Sequence, residues 1–429
     1  MRCCVAADEG LVWGRLIRLI TERLRLLARA RFVLGPSPAD TRQSLLALGI
    51  GTMTSLAAGA TLGLALNAFE DMPGVLVLLP ASIGMRGNIF GALGSRLSTS
   101  IHMGTFGLSR RVDTVVGQNI AASLVLTLAG SLALAALAKL VMVAFSLTGS
   151  ISFWELVVIS IVGALISSLI VLVATLGLAA SSTRFGWDLD NVAAPLVSAI
   201  GDVVGIPSIW LATLLIATPK FNMSMGLVLA IVCTTALIVA LRSGLVDLVA
   251  IVRESLPILM VAGLVSLIAG VVVEKRLDSF TAFPSLIVLL PGFLSSAGAL
   301  GGTLSSRLST KFHLGIAEST AIPSKSARLD ISLIAMLSIP VFLGNAVIAE
   351  LASDLLGVKS PGFLEMVQVA MIGGLLAMAF VVLMAYYGTL AAVRLGVDPD
   401  NYGIPLVSSS VDLIGAFTLI LAVVALGIN

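Results

Sequence analysis

Runs of about twenty apolar residues recur along this 429-residue chain, each long enough to cross a hydrocarbon core of about 30 Å. Hydropathy places eleven such spans, at 45–68, 74–95, 114–138, 154–181, 191–217, 221–241, 254–273, 284–305, 328–352, 364–393 and 401–427. Charged residues make up only 11% of the chain, against roughly a quarter in ordinary soluble domains. So little charge cannot cover a water-facing surface of this size. The chain reads as an all-α polytopic membrane protein, which excludes a nucleic-acid binder, a disulfide-built secreted scaffold and a cytosolic enzyme. Cys3, Cys4 and Cys233 offer neither a disulfide framework nor a CxxC metal motif.

Residues 1–44 form a basic arm with eight arginines by residue 42. It lacks the continuous apolar region and cleavage site of a secretory signal. Leucines alternating with arginines from Leu11 to Phe32 fit either an interfacial amphipathic helix or a solvated basic arm. With this arm in the cytoplasm, 19 of the 25 basic residues fall on the cytoplasmic side and five outside, leaving Arg86 within a span. That bias predicts a multi-pass protein of the cell membrane with its N-terminus cytoplasmic and its C-terminus extracytoplasmic.

An internal duplication organises the spans. LPASIGMRGNIFGALGSRLSTSIHMG runs from Leu79 to Gly104, and LPGFLSSAGALGGTLSSRLSTKFHLG from Leu290 to Gly315, a constant offset of 211. DLDNVAAPLVSAIGDVVG (Asp188–Gly205) and DPDNYGIPLVSSSVDLIG (Asp398–Gly415) repeat at an offset of 210. The expected plan is a first five-span repeat over 45–218, a connecting span within 219–252, and a second five-span repeat over 253–429. An odd repeat would invert its successor. The extra span restores the direction, so the repeats are expected to be parallel, related by a pseudo-two-fold along the membrane normal. Both SRLST segments are then expected in cytoplasmic loops, with Arg96 and Arg307 anchoring helix ends at the headgroups. Gly87-x3-Gly91 and Gly298-x3-Gly302 are expected to allow close helix packing.

The proline followed by GN and SRLST, together with the DxDN…P…GD stretch, resembles the MgtE family of divalent-cation transporters, and more closely its duplicated solute-carrier magnesium branch. The resemblance covers about residues 45–427. It implies the family's transport function, with Mg2+ as the transported ion and Na+ or H+ as possible coupling ions. Bacterial members are homodimers with cytosolic magnesium-sensing domains. This chain resembles that dimer fused into one polypeptide, a functional monomer expected to lack the sensor. The family pattern also places an acidic residue at the inner pore entrance. Asn88 matches the family's GN, but Ala299 stands at the repeat-related position.

Asp202 and Asp412 are each twelfth in their spans, about 17 Å deep and near the bilayer midplane. A carboxylate there costs at least ~2.5–3.5 kcal/mol if it faces lipid. Two of them at repeat-equivalent positions repel unless a cation lies between, which outlines a divalent-cation site. Mg2+ sheds water reluctantly and suits few carboxylates with retained hydration, whereas zinc or copper would call for His or Cys at depth. Ser198 and Ser408 lie one turn earlier on the same faces, and Pro195 and Pro405 free backbone carbonyls for the path. Asp188 and Asp398 stand about 21 Å away at the expected mouth, with Asn191 and Asn401 in the turn that follows; helix capping is the competing role there. Arg86 could instead pair with an aspartate, but it has no basic counterpart in the second repeat. Glu155 and Glu365 read as interfacial caps, and His102 and His313 as repeat mates in loops.

Two rival functions use similar features. An intramembrane aspartyl protease also needs paired aspartates, but Val411 precedes Asp412 and Ala199-Ile200-Gly201 precedes Asp202, so its Tyr-Asp and Gly-x-Gly-Asp signatures are missing. A secondary carrier of an organic substrate would want an aromatic or amide-lined pocket, and aromatics are 5% of this chain.

Overall fold

In a bilayer every backbone polar group must be satisfied within the protein, so long apolar segments become helices. The computed structural model contains only helices and connecting turns among its described residues. These run from residue 49 onward, apart from 52, 55, 63, 64, 66–68, 70, 71, 103, 105, 108–110, 112, 148, 186–188, 276–282, 314–316, 319, 396–398 and 429. The helices are α1 (Val75–His102), α2 (Val115–Ala144), α3 (Phe153–Phe185), α4 (Leu189–Thr213), α5 (Pro219–Arg242), α6 (Val246–Glu274), α7 (Ser285–His313), α8 (Lys325–Leu356), α9 (Phe363–Leu395) and α10 (Pro399–Ala425). All ten include a stretch long and apolar enough to cross a membrane. The first expected span, 45–68, lies partly outside the described residues; those described between 49 and 62 are helical.

Local chemistry sets the helix ends. The hydroxyls of Thr114 and Ser324 accept from the backbone N–H of Gly117 and Ala327, capping α2 and α8. Pro219 occupies the first turn of α5, where its missing N–H is harmless. Ser152 and Glu155 form a reciprocal capping box at the start of α3: Glu155 Oε2 accepts from Ser152 N at 2.7 Å, and Ser152 Oγ from Glu155 N at 3.4 Å. The expected cap role of Glu155 is thus met. Gly357, at φ 65°, ends α8 in the left-handed conformation that favours glycine.

The SRLST segments are not loops. Both are helical, because α1 and α7 continue to His102 and His313. Their arginines tie neighbouring helices together. Arg96 Nε donates to Asn119 Oδ1 of α2 at 2.7 Å, and Arg307 Nε donates to Asp330 Oδ1 of α8 at 3.0 Å. Both pairs are 211 apart in sequence. Lys311 Nζ adds a second ion pair to Asp330 at 2.6 Å. A carboxylate and an amide both offer an accepting oxygen, so the same clamp survives the Asn–Asp difference.

The bundle core is built by α1, α4, α6, α7 and α10. Helix α1 packs on α2, α3, α4 and α6, while α10 packs on α6, α7 and α9. Helix α5 lies at the periphery against α2 and α3, its side chains mostly outward. Contacts at the helix ends give direction. Gln118 near the start of α2 accepts from the N–H groups of Asp247 and Leu248 at the start of α6. Gly74, just before α1, donates to Glu274 at the end of α6. The starts of α2 and α6 therefore lie together, and the start of α1 lies beside the end of α6.

Two glycines lock helices across the duplication. A Cβ at Gly270 of α6 would strike the backbone of Val77 in α1, and one at Gly59 the backbone of Val288 in α7. Gly59 and Gly270 are 211 apart, as are Val77 and Val288. Helix α6, which opens the second half in sequence, thus packs against the first half, and the segment around Gly59 packs against the second half.

Candidate cation pathway

Helix α1 carries a continuous half-exposed stripe of small residues: Gly84, Gly87, Asn88, Gly91 and Ala92. Helix α7 carries the repeat-related stripe, Ser295, Gly298, Ala299, Gly302 and Thr303. The large side chains of these helices, among them Phe90, Leu93, Phe293 and Leu300, are buried instead. Lipid-facing surfaces do the opposite: α3 exposes Leu169 and Val173, α5 exposes Val228 and Ile231, and α9 exposes Phe380 and Leu383. A half-exposed face of glycine, serine, threonine and asparagine is suited to water rather than to hydrocarbon.

The glycines of this stripe also correct an expectation. Additional Cβ atoms at Gly91, Gly298 and Gly302 would meet nothing within 4 Å, and one at Gly87 would only reach Ser198 Oγ at 3.6 Å. They leave space rather than permitting helix contact. Close approach is supplied by Gly59 and Gly270, and by Gly205 and Gly301, whose added Cβ atoms would lie 2.8 Å from Arg86 Nη2 and 2.9 Å from Val381 Cγ1.

Asp412 on α10 is half-buried, and its Oδ2 accepts from Ser266 Oγ of α6 at 2.8 Å. Gly84 of α1 sits beside it, with an added Cβ 3.4 Å from the same Oδ2. The carboxylate is therefore fixed at the edge of the small-residue stripe. Asp202 on α4 is buried at 5% exposure, and the charges of Asp202 and Asp412 are close enough to interact. Their helices make no extended contact with each other, whereas α1 touches both. Ser198 faces Gly87, and Ser408 Oγ donates toward Asn88 Oδ1 at 3.2 Å and Pro405 O at 3.1 Å. Four of the expected ligands thus gather along one stretch of α1.

The expected mouth is not described in the same way. Asp188 and Asp398 lie outside the described residues. Asn191 and Asn401 are helical, but their side chains, and those of Pro195, His102 and His313, are also outside what is described. Among the described residues, no three His, Cys, Asp or Glu side chains cluster around a common point.

Arg86 is the residue that sequence reasoning weighed too lightly. It is 1% exposed, its Nη1 donates to Ser167 Oγ of α3 at 2.7 Å, and its Nη2 lies against the backbone of Gly205. Gly205 is one turn beyond Asp202 on α4, and the charges of Arg86 and Asp202 interact. The signal was present: Arg86 is the one basic residue placed inside a predicted span. The missing repeat mate obscured it, since Ala297 fills the equivalent place.

Comparison with known proteins adds the family. The model of the MgtE divalent cation transporter family matches the chain twice, over residues 79–212 and 290–422, more than half its length. Solute carrier family 41 member 3 from Rattus norvegicus is 23% identical over 412 residues, covering 88% of this chain and 84% of the relative. Solute carrier family 41 member 2 from Mus musculus is 25% identical over 406 residues, covering 87% and 68%. The Homo sapiens member 2 is 24% identical over the same coverage. No solved structure matches the chain significantly.

Proposed function

Since the chain belongs to the MgtE family of divalent cation transporters, and so to a family of transporters rather than enzymes, we propose that it carries Mg2+ through a central pathway lined by Asp202 and Asp412. The observation that carries this reading is the half-exposed stripe of small and polar residues on α1, with the Asp412–Ser266 pair at its edge. A half-buried carboxylate at the edge of a half-exposed face of small residues attracts a cation. Ser198, Ser408 and Asn88 add neutral oxygens about one helical turn away. Two carboxylates with hydroxyls suit an ion that keeps much of its water, as Mg2+ does.

The pathway lies, in this reading, between two parallel five-helix repeats of an eleven-span chain. The 211-residue correspondence of Arg96–Asn119 with Arg307–Asp330, and of Gly59–Val288 with Gly270–Val77, supports it. The N-terminus is cytoplasmic, the C-terminus extracytoplasmic, and one chain supplies both halves of the site. Asp188, Asp398, Asn191 and Asn401 form the inner mouth.

The test is Mg2+ flux in proteoliposomes under separately imposed Na+, H+ and voltage gradients. Asp412→Asn is expected to remove at least nine-tenths of the flux above empty vesicles, a loss of roughly 1.4 kcal/mol or more. The gradient that drives uphill flux identifies the coupling ion. Unchanged flux in Asp412→Asn, at equal protein incorporation, would refute the pathway.

A further inference from the structure

Arg86 is not needed by a site built from two carboxylates, yet it is placed where it must influence one. Its guanidinium is fully enclosed, with one nitrogen engaged by Ser167 and another pressed onto Gly205. No described residue accepts a hydrogen bond from Nε or Nη2. Guanidinium keeps its proton in proteins. A permanent cation at this depth therefore demands a nearby negative charge, and Asp202, one helical turn from Gly205, supplies it.

We propose that Arg86 is a built-in counter-cation for Asp202, so that the two aspartates form a cation site of net charge −1 centred on Asp412. The inference rests on the cation pathway proposed above and specifies how its affinity is set. The second half has no equivalent charge. There Ala297 replaces Arg86, and Gly415, the counterpart of Gly205, is approached by Leu294 and Phe293. The two carboxylates are thus equivalent in sequence and unequal in surroundings. Asp412 has a hydroxyl donor and half-exposure, whereas Asp202 faces a fixed positive charge.

The consequence concerns release as much as binding. Conduction requires an ion to be held strongly enough to enter and weakly enough to leave. Two uncompensated carboxylates in a low-dielectric interior hold a divalent ion tightly. Cancelling one of them leaves an attraction from which the ion escapes. Arg86 is a positioning residue in this scheme: it acts on the transported ion through Asp202 and through its field, not as a ligand.

The test measures Mg2+-dependent thermal stabilisation and Mg2+ flux of the full chain in the parent and five variants. Arg86→Gln makes the site −2 and is expected to lower the Mg2+ concentration for half-stabilisation by roughly tenfold or more while slowing turnover. Asp202→Asn makes the site neutral and is expected to raise that concentration by about tenfold or more. The double variant restores −1 and is expected within about threefold of the parent. Arg86→Lys, which keeps the charge, should also resemble the parent. A purely structural arginine predicts instead that the double variant is no better than either single one. An unchanged Mg2+ affinity in Arg86→Gln, or a double variant that behaves like Asp202→Asn, would overturn the proposal. If Arg86→Gln does not fold, the charge-balanced double variant against Asp202→Asn still decides. Loss of all Mg2+ response to Asp412→Asn in the parent is required by the pathway itself; its absence would sink that reading independently of Arg86.

Discussion

Replacing Gly270 with alanine tests how the central helices are seated. In an unobstructed helix this change stabilises by up to about 1 kcal/mol, because alanine loses less backbone freedom than glycine. At Gly270 the added Cβ would lie 2.7 Å from Val77 Cα and 2.8 Å from Val77 C, where carbon atoms prefer roughly 3.5–4.0 Å. The obstacle is helix backbone, which has no alternative rotamer, so α1 and α6 must part by about 1 Å. Overpacking of this kind costs about 1–3 kcal/mol. The upper end applies here, leaving a net loss of about 2 kcal/mol after the alanine gain. Function should suffer too, because Ser266, which donates to Asp412, lies one turn before Gly270 on the same helix. Thermal unfolding of the purified protein, alongside Mg2+ flux, reads both effects. Gly59→Ala should destabilise equally through Val288, while Gly298→Ala, facing open space, should be neutral or slightly stabilising. If Gly270→Ala melts like Gly298→Ala, α6 is not seated on α1 as described.

Ser266→Ala removes a hydrogen bond to a carboxylate and should weaken Mg2+ dependence of flux by up to about tenfold, with Ser266→Thr retaining most of it; the Mg2+ titration of flux decides. Gly84→Val places branched carbon against Asp412 Oδ2 and should block transport while leaving the folded yield intact, as measured by size-exclusion profile and flux together. Arg307→Ala strands the buried Asp330 carboxylate beside Lys311 alone and should cost about 3 kcal/mol. Arg96→Ala strands only a neutral amide and should cost about 1–2 kcal/mol. Matched unfolding experiments on these two variants compare the clamps directly.

Hydropathy located the ten described helices to within a few residues at most of their ends, because a span is a long signal averaged over twenty positions. It failed where polarity and helicity part company. SRLST is polar enough to read as a loop, yet Arg96 and Arg307 find acceptors on adjacent helices and let α1 and α7 continue. The Gly-x3-Gly spacing was read as a contact because periodicity reports which residues share a face, not what lies opposite. Asp202 and Asp412 stood out since charge is scarce at depth. Ser266 did not: a serine in an apolar run is unremarkable until the fold carries α6 across to α10. Arg86 was visible as a buried charge, but a symmetric argument has no place for a residue present in only one half.

That asymmetry is where fusing two repeats matters. In a homodimer, every residue near the axis occurs twice, so an arginine at the position of Arg86 would face both aspartates and cancel the site entirely. A single chain escapes this constraint. It holds Arg86 opposite Ala297, Asn88 opposite Ala299 and Asn119 opposite Asp330. It also sets Lys139, which donates to Ser150, against Glu350, which accepts from Ser360. In the proposed two-repeat architecture, the shared elements are those that build the bundle, such as the clamping arginines and the seating glycines. The differences fall on charge. Duplication in one polypeptide thus keeps these shared elements while permitting the net charge of −1 proposed for the site, a value that two identical sets of ionised side chains cannot produce.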